Sequence, residues 1–512
     1  MAVELAPGLG GVALFTAPGL AVCGLAPGLR RLPLPRRLAY AYLLGVATVG
    51  GGLYALSHFA GVPLRRPAIL AVAAAPVLAG LAAWGARLWR RDRRGKERRA
   101  GRVGRWPWRR PFDPGGLLVA ACAVIAAAVC LGVLLDAVTD PVKDWDGRMT
   151  WCAQARYVRA AATVDAAVLR EGQWFITHPQ YPLLLPLAQV AEMEVFGTPD
   201  DGHAFRALYA AFLPALLLVA YDGARRWAGR APAALVTLAA SLIPFMMKGE
   251  GGANSAYSDL PLACFYGAGL LLLLAGRARS GDGLAAGLLL GAAVLTKNEG
   301  LPYAVLALLL GCVVSLAPRP RLRGSGPTRM VHGSPAAGTA SGAAEKSGRG
   351  VGGRLPLRRL AAAGLPVVLA IALLVAWRAG IPNREDENYP GFVRPADFWP
   401  AAFTRLPQVV PVMLSKMYDW EGWTAFWWMA PAVLVAGWRA LRRPVARRLL
   451  IAAAAPPAMA WAVYSVHWLP TYIASVTWER FLFHGMVPLL VSLAIALADV
   501  LRRTGLWSRA SS

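Results

Sequence analysis

Four short stretches hold the side chains whose types and spacing could do chemistry. The first, DPVKDWDGRMTWCAQARY, sets Asp140, Asp144 and Asp146 beside Lys143, Arg148 and Arg156, with Trp145, Trp151 and Tyr157 interleaved. Arginine and lysine neutralise phosphate, while aromatic faces hold a sugar or settle at a membrane interface. The set suits a lipid-phosphate headgroup. It also suits an interfacial helix with snorkelling side chains and an aromatic belt, the reading that composition alone favours. In the second stretch, KGEGGANSAYSDLPLA, Asp259 stands one residue before Leu260 and Pro261, at the entry of an apolar run. A carboxylate there caps a helix and favours the positive end of its dipole. The glycines ahead of it would let backbone approach a ligand.

The third stretch, LTKNEGLPY, places Lys297 and Glu299 in a tight turn between two apolar segments. The pair could bind and orient a phosphate, or be an ordinary surface turn with Asn and Gly in their usual places. The fourth, SVTWERFLFHGMVPLL, opens the last apolar segment with Glu479, Arg480 and His484. Arg480 and His484 are four apart and share a helical face, which suits a phosphate contact or an interfacial anchor above a core histidine.

Other chemistries find less support. No G-x-x-x-x-G-K-[ST] run supports an ATP site, there is no H-E-x-x-H, and the six histidines form no short pair. Carboxylates from separate loops could still share a hard cation, Mg²⁺ or Mn²⁺, with Asp146 and Asp259 the candidates. Cys23, Cys122, Cys130, Cys264 and Cys312 fall in apolar segments and only Cys152 in a loop, so no disulfide is expected.

The elements that must position these groups follow from composition. The chain has 512 residues, 57% hydrophobic and 16% charged, with a mean hydropathy of +0.46. A soluble domain runs at about 45–50% apolar and about 25% charged. The expected fold is an all-α polytopic membrane protein of about 13 transmembrane helices, with interfacial helices in the outer loops. The apolar runs are 8–29, 38–60, 68–89, 115–137, 207–221, 233–247, 260–275, 284–295, 301–316, 360–377, 423–438, 449–466 and 481–501. The start, MAVELAPGLGGVALF, reads as the first of these and not as a cleaved signal.

The net charge of +26 comes from arginine runs between apolar segments, the pattern of topogenic charge and not of nucleic-acid binding. The run from Arg90 to Arg99 fixes one loop as cytoplasmic. Counting crossings from it puts the later basic loops and the C-terminus on the same side, provided 183–197 lies in the outer interface and does not cross. Four parts follow. Residues 1–114 hold the N-terminal helices and a basic loop; 115–316 form a core with an outer loop at 138–206. Residues 317–358, rich in Gly, Ser and Arg, are expected to be a disordered cytoplasmic linker. Residues 359–512 form the C-terminal helices, with an outer segment at 379–422.

Taken together, WDGRMTWCAQAR, HPQYPLLLPL, YSDLPLA, LTKNEGL and the arginine-bearing start of the last span resemble the membrane glycosyltransferases of the GT-C class. That superfamily includes protein O-mannosyltransferases and lipid A aminoarabinose transferases. The resemblance covers 144–310 and a patch at 479–488. It implies a bacterial cell-envelope enzyme that moves a sugar from a polyprenyl-phosphate-linked donor to a hydroxyl on a glycan, lipid or protein, at the outer membrane face. On that pattern Asp146 is the base toward the acceptor, with Asp144 second. Asp259 shapes the site or holds a metal where one is used. Lys297, Arg480 and Arg156 look like donor-phosphate ligands. Glu299, His178, Tyr181, Glu479 and His484 belong to the pocket, His178 and Tyr181 closing the first loop beside it. A single displacement with one base implies inversion through an oxocarbenium-like transition state. Tyr389, Trp399, Trp420 and Trp423 would form an acceptor platform or lid. The rival readings are a secondary transporter of a small solute, which would place ionisable groups near the midplane and show two related halves, and a glycan ligase or polymerase.

Overall fold

The structure is a computed structural model and describes residues 2–95, 114–171, 178–198, 205–275, 280–316, 354–381, 395–467 and 469–506. These residues form helices joined by turns, with no strand among the described residues. Within hydrocarbon every backbone N–H and C=O has to be satisfied by the protein itself, and a helix achieves this inside one segment. The chain is an all-α polytopic membrane protein, and each apolar run read from the sequence falls on one helix or on two or three consecutive ones.

Seven helices are long and apolar enough to cross a bilayer, and the pair Pro470–His484 and Met486–Arg503, bent by 59°, gives an eighth. Four of the other expected runs form shorter apolar helices, among them Asp259–Leu274, Ser280–Thr296 and Phe426–Ala436. The last, 233–247, is broken into Arg230–Ser241 and Pro244–Met247, where Pro244 has no N–H to continue the ladder. Length alone therefore supports fewer spans than the expected number of about 13. Three of the short helices end at polar residues that meet one another: Asp259 opens one, Lys297 follows the next, and Glu299 precedes Gly300–Leu316.

The middle of the bundle is Asp259–Leu274, buried at every residue. Around it pack Phe212–Ala228, Ser280–Thr296, Gly300–Leu316, Pro470–His484 and Met486–Arg503. The helices Arg66–Gly95 and Pro114–Thr139 lie outside and present Leu78, Leu81, Val124 and Leu131 outward, as lipid-facing helices do. Ala2–Leu25 and Leu34–Ala60 cross at Gly19 and Gly45, where an added Cβ would run into the backbone of Ala41 and Phe15. Small residues at such a crossing let two helices approach closely in lipid.

Charged groups collect at both ends of the central helix. Past its C-terminus, buried Arg359 donates to the carbonyls of Leu272 and Leu273, closing groups that have no partner within the helix. Nearby, Arg36 pairs with Asp222 at 2.7 Å and Asp282 accepts from the backbone N–H of Gly28 at 2.7 Å. The opposite end holds Asp259.

Two expected boundaries move. Residues 317–353 of the linker lie outside the described residues, whereas 354–358 already belong to the helix Arg354–Arg378, which the buried Arg359 anchors. The stretch 183–197 does not lie on a surface. It forms the helix Leu184–Phe196, enclosed by Ala2–Leu25, Leu34–Ala60 and Ala153–Ala161, with Gln189 and Glu192 fully buried. At about 1.5 Å per residue its 13 residues reach only about 20 Å. In the outer segment, 382–394 with Tyr389 lie outside the described residues, and Pro395–Met417 is helical.

Candidate active site

Asp259 is the hub. Opening the central helix, it is fully buried and accepts from three donors that arrive on two other helices. Ser280–Thr296 runs antiparallel beside it, so the following Lys297 reaches back, its Nζ 2.7 Å from Oδ1 of Asp259 and 3.3 Å from Glu299. On Pro470–His484 the four-residue spacing brings two side chains to the same carboxylate. Arg480 Nε lies 3.0 Å from Oδ2 and His484 Nε2 lies 2.8 Å from Oδ1. Since a carboxylate only accepts, Nε2 carries the proton, and in the neutral ring Nδ1 is left to accept the Tyr303 hydroxyl at 3.2 Å.

Arg480 also reaches the first loop, with Nη1 2.8 Å from Oδ2 of Asp146. Asp146 directly precedes a π-helical turn, Gly147–Cys152, continued by Ala153–Ala161. Gly147 lies so close to the carbonyl of Ser255 that any side chain there would collide with it, and this contact locks the first loop onto the second. Tyr257 completes the join. Its hydroxyl accepts from the Asp146 backbone N–H at 3.1 Å, and its ring lies 4.8 Å under the Arg480 guanidinium.

Above this network lies a cavity of about 910 Å³. One part of its wall is polar, with Asp146, His178, Tyr181, Lys297, Glu299 and Arg480, joined by Arg378. The other part is apolar, with Met459, Val463, Ile473, Val476 and Phe481. Tyr181 stacks between Trp151, 5.5 Å away, and His178, 5.1 Å away, with ring planes within 13° of parallel. His178 has a φ of 46°, and its carbonyl accepts from Gln154 Nε2 at 2.9 Å.

Six of the eleven candidate site residues therefore line one cavity, and Asp259 and His484 support it from below. The other three stand apart. Asp144 is half-buried outside the lining, and burial pushes its carboxyl above the ordinary carboxylate range against the opposing pull of Arg206. Arg156 is exposed and turns back to the Cys152 carbonyl at 3.4 Å. Glu479 faces Lys416 at 3.8 Å. Sequence reasoning passed over Tyr257, Tyr303 and Arg378. Tyr257, two residues before Asp259, and Tyr303, which closes LTKNEGLPY, lay within motifs already in view, whereas Arg378 did not.

The two carboxylates proposed as metal ligands do not fit one. Both oxygens of Asp259 are engaged by Lys297, His484 and Arg480, and Oδ2 of Asp146 is engaged by Arg480. No group of three or more metal-ligating side chains is found among the described residues.

Fold and site thus define a polytopic membrane protein with one ion-paired, half-apolar cavity at one end of its central helix. No family model and no curated protein matches the chain. Among solved structures, the archaeal oligosaccharyltransferase AglB from Archaeoglobus fulgidus, in complex with an inhibitory peptide and a dolichol-phosphate, is similar at a TM-score of 0.40 and 13% identity. The match covers 77% of this chain and 51% of that one, so the chain spans about half the length of that structure.

Proposed function

We propose that the chain is a membrane glycosyltransferase that moves a sugar from a polyprenyl-phosphate-linked donor to a hydroxyl of a glycan, lipid or protein. The observation that carries this reading is the cavity itself. One wall offers the fixed cations Lys297 and Arg480 beside the partly exposed carboxylate of Asp146, and the other is apolar, as a lipid with an anionic head requires. In the reaction the acceptor oxygen attacks the anomeric carbon and Asp146 takes the hydroxyl proton. The bond from that carbon to the phosphate oxygen breaks, and the lipid phosphate leaves with the electron pair. Arg480 and Lys297 offset the charge that develops on the leaving group. One base and one displacement give inversion. Asp259, His484 and Tyr303 touch no substrate and act by holding the two cations in place. With Leu184–Phe196 too short to cross, the distribution of basic loops turns the cavity to the extracytoplasmic side.

The test is transfer of labelled sugar from a panel of polyprenyl-phosphate donors in proteoliposomes. Asp146→Asn should lower transfer by about 10²–10⁴-fold, the usual scale of a general base, while His332→Ala in the 317–353 stretch leaves it unchanged. Full activity in Asp146→Asn would remove the base from this position. Solute flux without turnover of any donor would replace the whole reading with a transporter.

A further inference from the structure

We infer that Arg480 stands where a divalent cation would have to sit between Asp146 and Asp259, so that the site binds no metal and works without one. A hard cation takes oxygen ligands at about 2.0–2.6 Å and needs open carboxylate lone pairs. Here the guanidinium spans the two carboxylates instead, Nη1 at 2.8 Å from Asp146 and Nε at 3.0 Å from Asp259. It is held on a third side by the Tyr257 ring, whose hydroxyl fixes the backbone of Asp146. A guanidinium cannot be deprotonated in a protein, so this bridge carries a permanent positive charge in a planar fork.

The rest of the hub closes the remaining places on Asp259. Oδ1 of Asp259 accepts from Lys297 at 2.7 Å and from His484 at 2.8 Å. Glu299, which could lend a further oxygen, faces Lys297 at 3.3 Å. A dication entering here would displace Arg480 or lie against two fixed cations. With Arg480 in place, the two carboxylates are held apart and the positive charge that a metal would bring to a phosphate is supplied by a side chain. The consequence for catalysis rests on the glycosyltransferase reading; the consequence for binding does not.

The experiment is a Mn²⁺ titration of the purified chain in nanodiscs, followed by electron paramagnetic resonance, together with sugar transfer in excess EDTA. Wild type should show no stoichiometric Mn²⁺ site and lose no transfer on chelation. Arg480→Met, which removes the charge and keeps much of the volume, should gain Mn²⁺ binding, and adding Asp146→Asn should abolish the gain. One Mn²⁺ per wild-type chain, lost in Asp146→Asn, overturns the inference whether or not the chain transfers sugar. So does a folded Arg480→Met chain that gains no Mn²⁺. If Arg480→Met does not fold, the wild-type titration decides alone. Absence of transfer with every donor, alongside a wild type that binds no Mn²⁺, would count against the transferase reading and leave the binding inference standing.

Discussion

Nε2 of His484 lies 2.8 Å from Oδ1 of Asp259, and Nδ1 of the same ring lies 3.2 Å from the hydroxyl of Tyr303. All three residues are buried, so this chain of contacts runs beneath the cavity and not along it. Its effect is mechanical. The ring props the carboxylate on which Lys297 and Arg480 both rest.

Removing the far end of that chain should therefore show first in stability. Tyr303→Phe leaves Nδ1 without its partner in a buried setting, at a cost of about 1–3 kcal/mol. The expected result is a lower unfolding temperature in detergent with donor KM little changed. A variant that melts like wild type would show that the hydroxyl does not support the ring.

Lys297 should behave differently because it touches both the hub and the cavity. Lys297→Met removes a charge-assisted contact of about 1.5–3 kcal/mol, which corresponds to a donor KM raised roughly ten- to a hundredfold. The split matters more than the size: KM should rise more than kcat falls if Lys297 binds donor phosphate in the ground state. An unchanged KM would remove Lys297 from the donor site and leave it only its place on Asp259.

Asp144 gives a prediction in pH. Burial raises its carboxyl above the ordinary range, and a group raised on folding adds stability while protonated. That contribution is complete below the unfolded value and is lost as pH rises through the folded one. Above that folded value the wild-type chain carries the buried charge. Asp144→Asn, neutral throughout, should melt above wild type at pH 7, with the difference closing as pH falls below about 4. Melting curves at both pH values check this, and a variant less stable than wild type at pH 7 would mean that the carboxylate is held by partners that outweigh its burial.

Much of the architecture was legible because the bilayer imposes a simple rule, and every long apolar run had to become helix. The hub was legible in part for a similar reason. Asp259 and Lys297 sit where apolar runs begin and end, and Arg480 and His484 are one helical turn apart. Arg156 was misplaced by something that spacing does not reveal. The π-helical turn Gly147–Cys152 closes i→i+5 contacts and shifts the angular register of everything after it, so Arg156 emerges exposed and not over Asp146. For His484 the shared helical face left a phosphate contact and a core histidine both open, because spacing does not say how deep each residue lies, and the ring is buried against Asp259. Tyr303 closes LTKNEGLPY, but its contact with His484 comes through long-range packing, as does the place of Arg378 in the cavity wall, and local spacing reveals neither.

The ring stack Trp151, Tyr181 and His178 tests whether the aromatic wall matters for more than burial. Trp151 is buried, while Tyr181 and His178 line the cavity close to Asp146, so the middle ring joins the core to the substrate space. Each parallel pair contributes about 0.5–1.5 kcal/mol beyond the area it buries. Tyr181→Ala breaks both pairs and opens the wall, whereas Tyr181→Phe keeps the ring and removes only the hydroxyl. If the stack shapes the pocket, Tyr181→Ala should lower sugar transfer and loosen the first loop to limited proteolysis, and Tyr181→Phe should restore most of both. Equal damage from the two variants would shift the role from the ring to the hydroxyl, which would then belong with Asp146 and Arg480 among the polar groups of the cavity.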